Sequence, residues 1–383
     1  MSEKEKKVFA TLFTDMWNIQ LIKDPGMIPL TFNNFYGYKS IIPIFAKREY
    51  PYKEVYFNDI EMPVLRGNKS QFARDISRIK WLIKNAKKID VLNLFFFYRG
   101  TWLLMWLYKK LNHKGLIYIH LDSDGERLLN YEFSKTPIKR FIVKKIFLGD
   151  TVINDTFWGL QNSKNAKKLQ GNWPFLNLQH IPNGVFWENE KKCNYKDKKN
   201  VILTVGRIGS PEKNNEMLME AFAKVADEFQ DWKLRLVGPI EDKFTEFIKE
   251  FFERYPNMEC RIEFAGPIFD REKLEIEYNK AKIFCLPSLW EGFSLVGVEA
   301  LSKGCYILGS DIASNIEVTQ NGEMGCLFRN NNLEDFVDKM KYCISNEDVL
   351  KENFNKSIEY ANNHYTWRKA VEPVAHWIEN KMY

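Results

Sequence analysis

Two runs of alternating strand-length and helix-length patterns, separated by a polar stretch without periodicity, constrain this chain more than any other feature. In the first run "KVFATLFT", "SIIPIF", "DVLNLFFF" and "LIYIHL" are short apolar segments. Between them lie segments of helical period: "GMIPLTFNNFYG", ended by Gly37, "QFARDISRIKWLIKNAKK", and a helix over 101–111. "DTVINDT" and "LQHIPNG" complete the pattern. Strands that are apolar on both faces and joined by helices form a parallel sheet covered on both sides. The polar, lysine-rich "ENEKKCNYKDKKN" then reads as a linker. A second series follows: "VILTVG", a helix over 215–229, "KLRLVG", a helix over 243–254, "RIEFAG", a short helix over 271–279, "KIFCLPS", a helix over 294–301, "CYILGS", and further helices.

The expected class is therefore α/β, with two Rossmann-like open-sheet domains facing each other across a cleft, where ligands are expected at the carboxyl ends of the strands. The boundaries expected are 1–188, a linker over 189–200, and 201–366. A C-terminal amphipathic helix over 367–383 packs on the body of the protein, the first domain being one candidate surface.

With 383 residues, 45% apolar and 28% charged, the chain is of the folded, multidomain kind. Its formal charge of +6 hides an asymmetry: residues 1–200 hold 34 Lys and Arg against 19 Asp and Glu, and residues 201–383 hold 22 against 31. A basic half suits an anionic partner. Nucleic acid is set aside because no binding motif or stacking platform is present. Six cysteines, none before Cys193 and none in a CxxC pair, argue against structural zinc and against a disulfide framework. The N-terminal "MSEKEKKVFATLFTDMW" lacks a secretory apolar core, so a cytoplasmic location is expected. The most apolar stretch, "VLNLFFFYRGTWLLMWLY", is interrupted by Asn93, Arg99 and Gly100. It reads as a buried strand, a turn at Arg99-Gly100 and a helix, rather than a membrane span of about 20 residues.

Three segments of the second half converge on one kind of ligand. "VGRIGSPEKN" places Arg207 after a strand and Lys213 near a helix start, two donor-only cations suited to a diphosphate. In "SLWEGFSLVGVEALSKG" a loop carrying Glu291 and Gly292 leads into a helix whose first residues, Phe293, Ser294 and Leu295, present backbone amides to an anion. Glu299, about two turns further on, sits among apolar neighbours, where an unpartnered carboxylate would be costly. Carboxylates accept from sugar and ribose hydroxyls. In "FAGPIFD" the backbone near Ile268 either lines a flat base or is a plain turn.

At these residues the chain resembles the retaining GT-B glycosyltransferases of the large family called group 1 or family 4. The resemblance rests on Arg207 with Lys213, on Glu291 and Glu299 at E-x7-E spacing, on "IPNG" and on "LSKGCYILGSDIASNIEV"; it is strong over about 181–330. The first half matches in layout and in "KDPGMIPLTFNNFYGY". The resemblance implies that Arg207 and Lys213 neutralise a departing nucleotide diphosphate, that Glu299 accepts from the ribose, and that Glu291 with nearby amides holds the donor sugar. It further implies transfer with retention to a glycan or lipid-linked acceptor, uridine diphosphate sugars being the favoured donors. No cofactor or metal is expected, because the two cations take the place of one. A non-catalytic subunit and a nucleotide-sugar epimerase are the alternatives.

In the first half, "LDSDG" brings Asp122 and Asp124 to a strand end; Asp, Ser and Gly favour a turn over a metal pair there. His120 just before them is either a contact on the acceptor side or a satisfied structural histidine. Lys23, Asp24 and Gly26 precede a helix, where Gly26 either touches the donor phosphates or the acceptor on domain closure or simply belongs to a capped helix start. "TPIKRFIVKKIFLGD", over 136–150, suits either an anionic bilayer surface or a core-packed helix with its charges in water. The first alternative would make the protein peripheral at the inner face of the membrane.

Overall fold

The computed structural model describes residues 6–46, 48–66, 70–121, 149–186 and 193–382, excepting the side chains of Arg99 and Asp150. The chain divides into two compact units, the first comprising 1–186 with 367–383 and the second 187–366.

The first unit is built on a parallel six-stranded sheet of β1 (Val8–Leu12), β2 (Lys39–Ile41), β5 (Val91–Phe95), β6 (Leu116–Leu121), β7 (Thr156–Leu160) and β8 (Asn177–His180). Their order is β2-β1-β5-β6-β7-β8. All residues of β5, β6 and β7 are buried, as expected of central strands covered on both faces. One face carries α4 (Gln71–Asn85), α5 (Arg99–Leu111), α6 (Gly149–Asn154) and α7 (Ser163–Asn172), whose apolar residues join Leu92, Ile117, Ile119 and Trp158 in one core. The other face carries α2 (Asp24–Phe35) and the C-terminal α15 (Trp367–Met382), with Trp367, Val371, Val374 and Ile378 packed among Phe9, Phe32, Tyr118 and Phe157.

Several local expectations are corrected. "SIIPIF" is not one strand. Pro43 supplies no N–H, and the chain leaves the sheet after Ile41; β3 (Ile44–Phe45) pairs instead with β4 (Val64–Leu65). Arg99 and Gly100 do not form a turn but open α5. The reversal lies earlier, at Phe96, which adopts a left-handed φ of 57° and whose carbonyl accepts from Thr101 Oγ1 at 3.1 Å. "DTVINDT" is mostly α6, and the strand is the aromatic "TFWGL" beyond it. The "LDSDG" aspartates and the basic helix expected over 137–148 lie outside the described residues. Among those described, no helix is long and apolar enough to cross a membrane.

The second unit holds β9 (Lys199–Val205), β10 (Lys233–Val237), β11 (Ile262–Gly266), β12 (Ala281–Leu286), β13 (Tyr306–Ser310) and β14 (Gly325–Phe328), all parallel, in the order β11-β10-β9-β12-β13-β14. That is the doubly wound 3-2-1-4-5-6 arrangement, in which the order reverses between the first and fourth strands. The region expected as linker shortens: a 3-10 turn occupies Tyr195–Asp197, and β9 begins at Lys199. β14 escaped the sequence reading because "GCLF" is short and only half-buried in its middle. Around the sheet lie α8 (Asn215–Ala226), α9 (Phe244–Arg254), α10 (Arg271–Lys280), α11 (Leu295–Ser302), α12 (Ala313–Val318), α13 (Leu333–Ser345) and α14 (Glu347–His364).

Candidate functional site

The loops after β9 and β12 flank the point where strand order reverses in the second unit, the position at which open α/β sheets bind ligands. Close backbone approach shapes the first loop. A Cβ on Gly238 would fall 1.7 Å from Gly206 O, so the backbone just after β10 lies directly against the backbone just after β9. Gly209, at φ +85°, has Phe244 against it and no room for a side chain. Asn214 then takes a left-handed conformation and turns the chain into α8.

This loop presents Arg207, largely exposed, with its guanidinium paired to Glu212. Burial pushes the Glu212 carboxyl up, but its own backbone, Ser210 and Arg207 outweigh that and hold it below the ordinary carboxylate value. Lys213 is less exposed, and its ammonium donates to Glu291 across the gap to the β12 loop. Glu291 Oε1 also accepts from Ser288 Oγ at 2.7 Å, and Leu289 N donates to Glu212 O at 2.9 Å. The two loops are thereby tied by one ion pair and one backbone bond. Behind them, Ser310 Oγ at the end of β13 donates to Ser288 O at 2.5 Å, and Asn315 Nδ2 of α12 donates to Leu286 O at 3.3 Å and Ser310 O at 3.1 Å.

Beyond Gly292 and Phe293 the β12 loop enters α11, with Ser294 at the cap. Ser294 accepts through its carbonyl from Gly297 N at 3.1 Å and Val298 N at 3.2 Å, while Leu295 N bonds to Phe293 O at 3.2 Å. The Ser294 side chain makes no capping bond; its Oγ is buried and has no hydrogen-bond partner among the described residues. A buried hydroxyl left in this state costs about 1–3 kcal/mol. It lies at the first turn of α11, where Leu295 N, Gly297 N and Val298 N already have the backbone acceptors named above.

Glu299, about one turn into α11, is 2% exposed. Arg271 of α10 donates to its Oε1, and Tyr278 of the same helix donates to its Oε2 at 2.9 Å. Tyr278 is fully buried, and burial, reinforced by Glu299, pushes its hydroxyl pKa well up, so it stays a donor. These partners resolve the cost that the sequence reading flagged for Glu299. The carboxylate retains acceptor capacity beyond these two bonds. Ile268 lies half-buried in the connection from β11 to α10, next to the exposed Phe269; Asp270 caps α10 by accepting from Glu272 N at 3.0 Å and Lys273 N at 3.2 Å. Arg207, Lys213, Glu291, Gly292, Phe293, Ser294 and Leu295 thus share two adjoining loops. Glu299 is held by α10. Sequence reasoning missed Arg271, Tyr278, Ser288 and Ser310, whose types and spacing carry no signature; only the demand of Glu299 for a partner pointed towards the first two.

His120 and Gly26 belong to the first unit. His120 ends β6 with no exposed surface, its Nδ1 2.7 Å from Tyr118 Oη, its Nε2 3.2 Å from Gln161 Nε2 and 3.5 Å from Asp24 Oδ2. Burial pushes its pKa down to about 3, so the ring is neutral near pH 7. Gly26 is buried in α2, its amide donating to Lys23 O at 3.1 Å; a Cβ there would come within 2.0 Å of Leu21 O. That contact, rather than an amide open to a phosphate, is what requires glycine.

Residues 185–364 match the family of glycosyl transferases group 1. The match spans nearly all of the second unit. Over 192 residues the chain is 26% identical to phosphatidyl-myo-inositol mannosyltransferase of Mycobacterium leprae, covering 49% of each chain. It spans less than half the length of the curated relatives it matches. Over nearly the whole chain the fold is that of solved GT-B enzymes. A glycosyltransferase from Rickettsia africae superposes with a TM-score of 0.74 at 17% identity, covering 99% of both chains. Anabaena Alr3699/HepE in complex with UDP does so at 0.70 and 15% identity, covering 98% of this chain and 100% of that one. The group 1 unit contains every candidate site residue named above except His120 and Gly26.

Proposed function

We propose that the chain is a glycosyltransferase that moves a hexose from a nucleotide diphosphate sugar, uridine diphosphate favoured, to a glycan or lipid-linked acceptor with retention of configuration and without a metal ion. The observation that carries this reading is the ion pair of Lys213 with Glu291, which ties the loop of Arg207 to the loop that leads into α11, where the buried Ser294 Oγ has no hydrogen-bond partner among the described residues. A diphosphate placed there accepts from the hydroxyl and exchanges Glu291 for phosphate at Lys213. Glu291, released, accepts from the donor sugar. The charge that builds on the leaving diphosphate is met by two cations, which is the work a divalent ion would otherwise do. Glu299, fixed by Arg271 and Tyr278, accepts from the ribose, and the connection at Ile268 borders the base. His120 is neutral and backed by Gln161 and Asp24, suited to positioning on the acceptor side. UDP bound to the Anabaena neighbour and mannosyl transfer in the name of the Mycobacterium leprae relative support a hexose on a nucleotide. The chain would work in the cytoplasm, at the inner membrane face where the acceptor is lipid-linked.

The test is nucleotide release from a panel of nucleotide sugars, with an acceptor extract supplied, in the presence and absence of EDTA. Release from one donor that survives EDTA and falls in Lys213→Ala fits the reading. EDTA-sensitive release refutes metal independence, and no release from any donor refutes the enzyme reading in favour of a non-catalytic subunit.

A further inference from the structure

On the first unit, α4 and α5 cover one face of the sheet, and each also turns apolar residues outward. Along α4, Phe72, Ile76, Ile79 and Ile83 recur at spacings of four, three and four, which places them on one side of the helix. Ile79 also packs partly against the core, next to the buried Arg78 and Leu82, while Phe72 and Ile83 do not. Phe72 is 75% and Ile83 53% exposed. On the adjoining α5, Leu103 and Trp106 are 45% and 48% exposed. Between the helices runs a groove of about 240 Å³ lined by Phe72, Ile76, Ile79, Leu103 and Leu104 together with Asp75 and Arg78.

The charge around this apolar strip has one sign. The only acid in either helix is Asp75, and it is paired to Arg78. Lys80 and Lys84 of α4, Lys87 just after it, and Lys110 of α5 are all exposed. Aliphatic side chains beside a tryptophan and lysines on long stems suit a surface that is apolar a few ångströms below an anionic layer: the tips enter the acyl boundary while the ammonium groups reach headgroups. A nucleic acid would match the lysines but would leave the isoleucines and phenylalanine in water.

We infer that the α4–α5 face docks this protein on an anionic lipid bilayer, Phe72, Ile83, Leu103 and Trp106 entering the interface and Lys80, Lys84, Lys87 and Lys110 engaging acidic headgroups. These residues belong to the first unit and the sugar-donor candidates of the β9 and β12 loops to the second. Co-sedimentation with sucrose-loaded vesicles of phosphatidylcholine, with or without one-quarter phosphatidylglycerol, tests it without donor or acceptor, so that the transferase reading stands or falls independently. Expected is binding to the anionic vesicles only. The partition should fall about 100-fold or more when Lys80, Lys84 and Lys87 are changed to Glu, from about fivefold per neutralised lysine near the surface. It should also be lost in the double variant Phe72→Gln, Trp106→Gln; circular dichroism and the thermal midpoint confirm that each variant folds. Equal binding to neutral vesicles, or loss only on reversal of Lys144 and Lys145, overturns the assignment. So does a dimer in sedimentation velocity that Phe72→Gln, Trp106→Gln dissolves, because the face is then covered by a second copy.

Discussion

Removing Arg271 should cost the second unit more than removing almost any other single charge. The side chains of Arg271 and Glu299 are 9% and 3% exposed, so solvent does little to screen the pair. Taking away the guanidinium leaves a buried carboxylate with Tyr278 as its remaining side-chain donor among the described residues, a change that costs about 3–5 kcal/mol. Arg271→Ala should therefore lower the transition of a unit this size by about 6–20 °C, at about 2–4 °C per kcal/mol. Tyr278→Phe keeps the ring packing and removes one bond to a charged group, which costs about 1.5–3 kcal/mol. The double replacement Arg271→Met, Glu299→Leu removes both charges and should recover most of the loss, since a buried ion pair replaced by apolar groups is often neutral. Native-state hydrogen exchange on peptides spanning α10 and α11 reports this unit separately from the other. A loss below about 1 kcal/mol for Arg271→Ala, against the 3–5 expected, would show that Glu299 is not ion-paired in solution and that α10 does not preset the carboxylate proposed to accept from the ribose.

Arg207→Ala should reduce turnover by about 100-fold or more, the effect of deleting one donor aimed at transition-state charge; a loss under about threefold, far below that, removes it from the site. Ser294→Ala should leave the free protein as stable or slightly more so, because a buried unpartnered hydroxyl disappears, yet raise KM for the donor by about tenfold from one lost hydrogen bond; steady-state kinetics and a denaturation curve read the two effects separately. His120 has a folded pKa depressed from 6.5 to about 3. The unfolded state therefore binds the extra proton first, and stability that is constant above pH 6.5 falls as pH drops towards 3, by up to about 1.4 kcal/mol per unit. His120→Gln should flatten that slope in acid denaturation followed by circular dichroism. Gly26→Ala drives a methyl to within 2.0 Å of Leu21 O and should cost about 1–3 kcal/mol, read as a lower denaturation midpoint whether or not a nucleotide is present.

Central strands such as β5 and β6 were legible because full burial on both faces leaves a continuous apolar run, which no surface element shares. Their connections were less so. Nothing in "FFFYRGTW" reveals that Phe96 rather than Gly100 takes the left-handed turn, since the choice depends on Thr101 reaching the Phe96 carbonyl. "SIIPIF" was misread because strand pairing beyond Ile41 is decided by a partner, Val64–Leu65, some twenty residues away. At the site the same division holds. Arg207, Lys213, Glu291 and Glu299 stood out because charged residues at strand ends and helix starts have few structural reasons to be there. Their partners Arg271, Tyr278 and Ser288 did not, because a hydrogen bond between α10 and α11 leaves no spacing rule in the chain.

Those partners change what the charges mean. In isolation two cations and two carboxylates around a helix start amount to a mixed electrostatic patch. In the structure each has a different availability. Glu299 is anchored by α10 and can offer only its remaining lone pairs. Lys213 and Glu291 hold each other, so neither is an uncompensated charge when the site is empty, and both are released together when a diphosphate takes the lysine. Ser294 Oγ alone has nothing to exchange. An anion arriving at α11 therefore gains a hydroxyl at no exchange cost, and gains Lys213 only by handing Glu291 to another donor. A nucleotide sugar brings such donors in its hydroxyls; inorganic pyrophosphate does not. Pyrophosphate should accordingly bind more weakly than the nucleotide sugar by more than the loss of base and ribose contacts explains, and Glu291→Gln, which frees Lys213 beforehand, should narrow that gap.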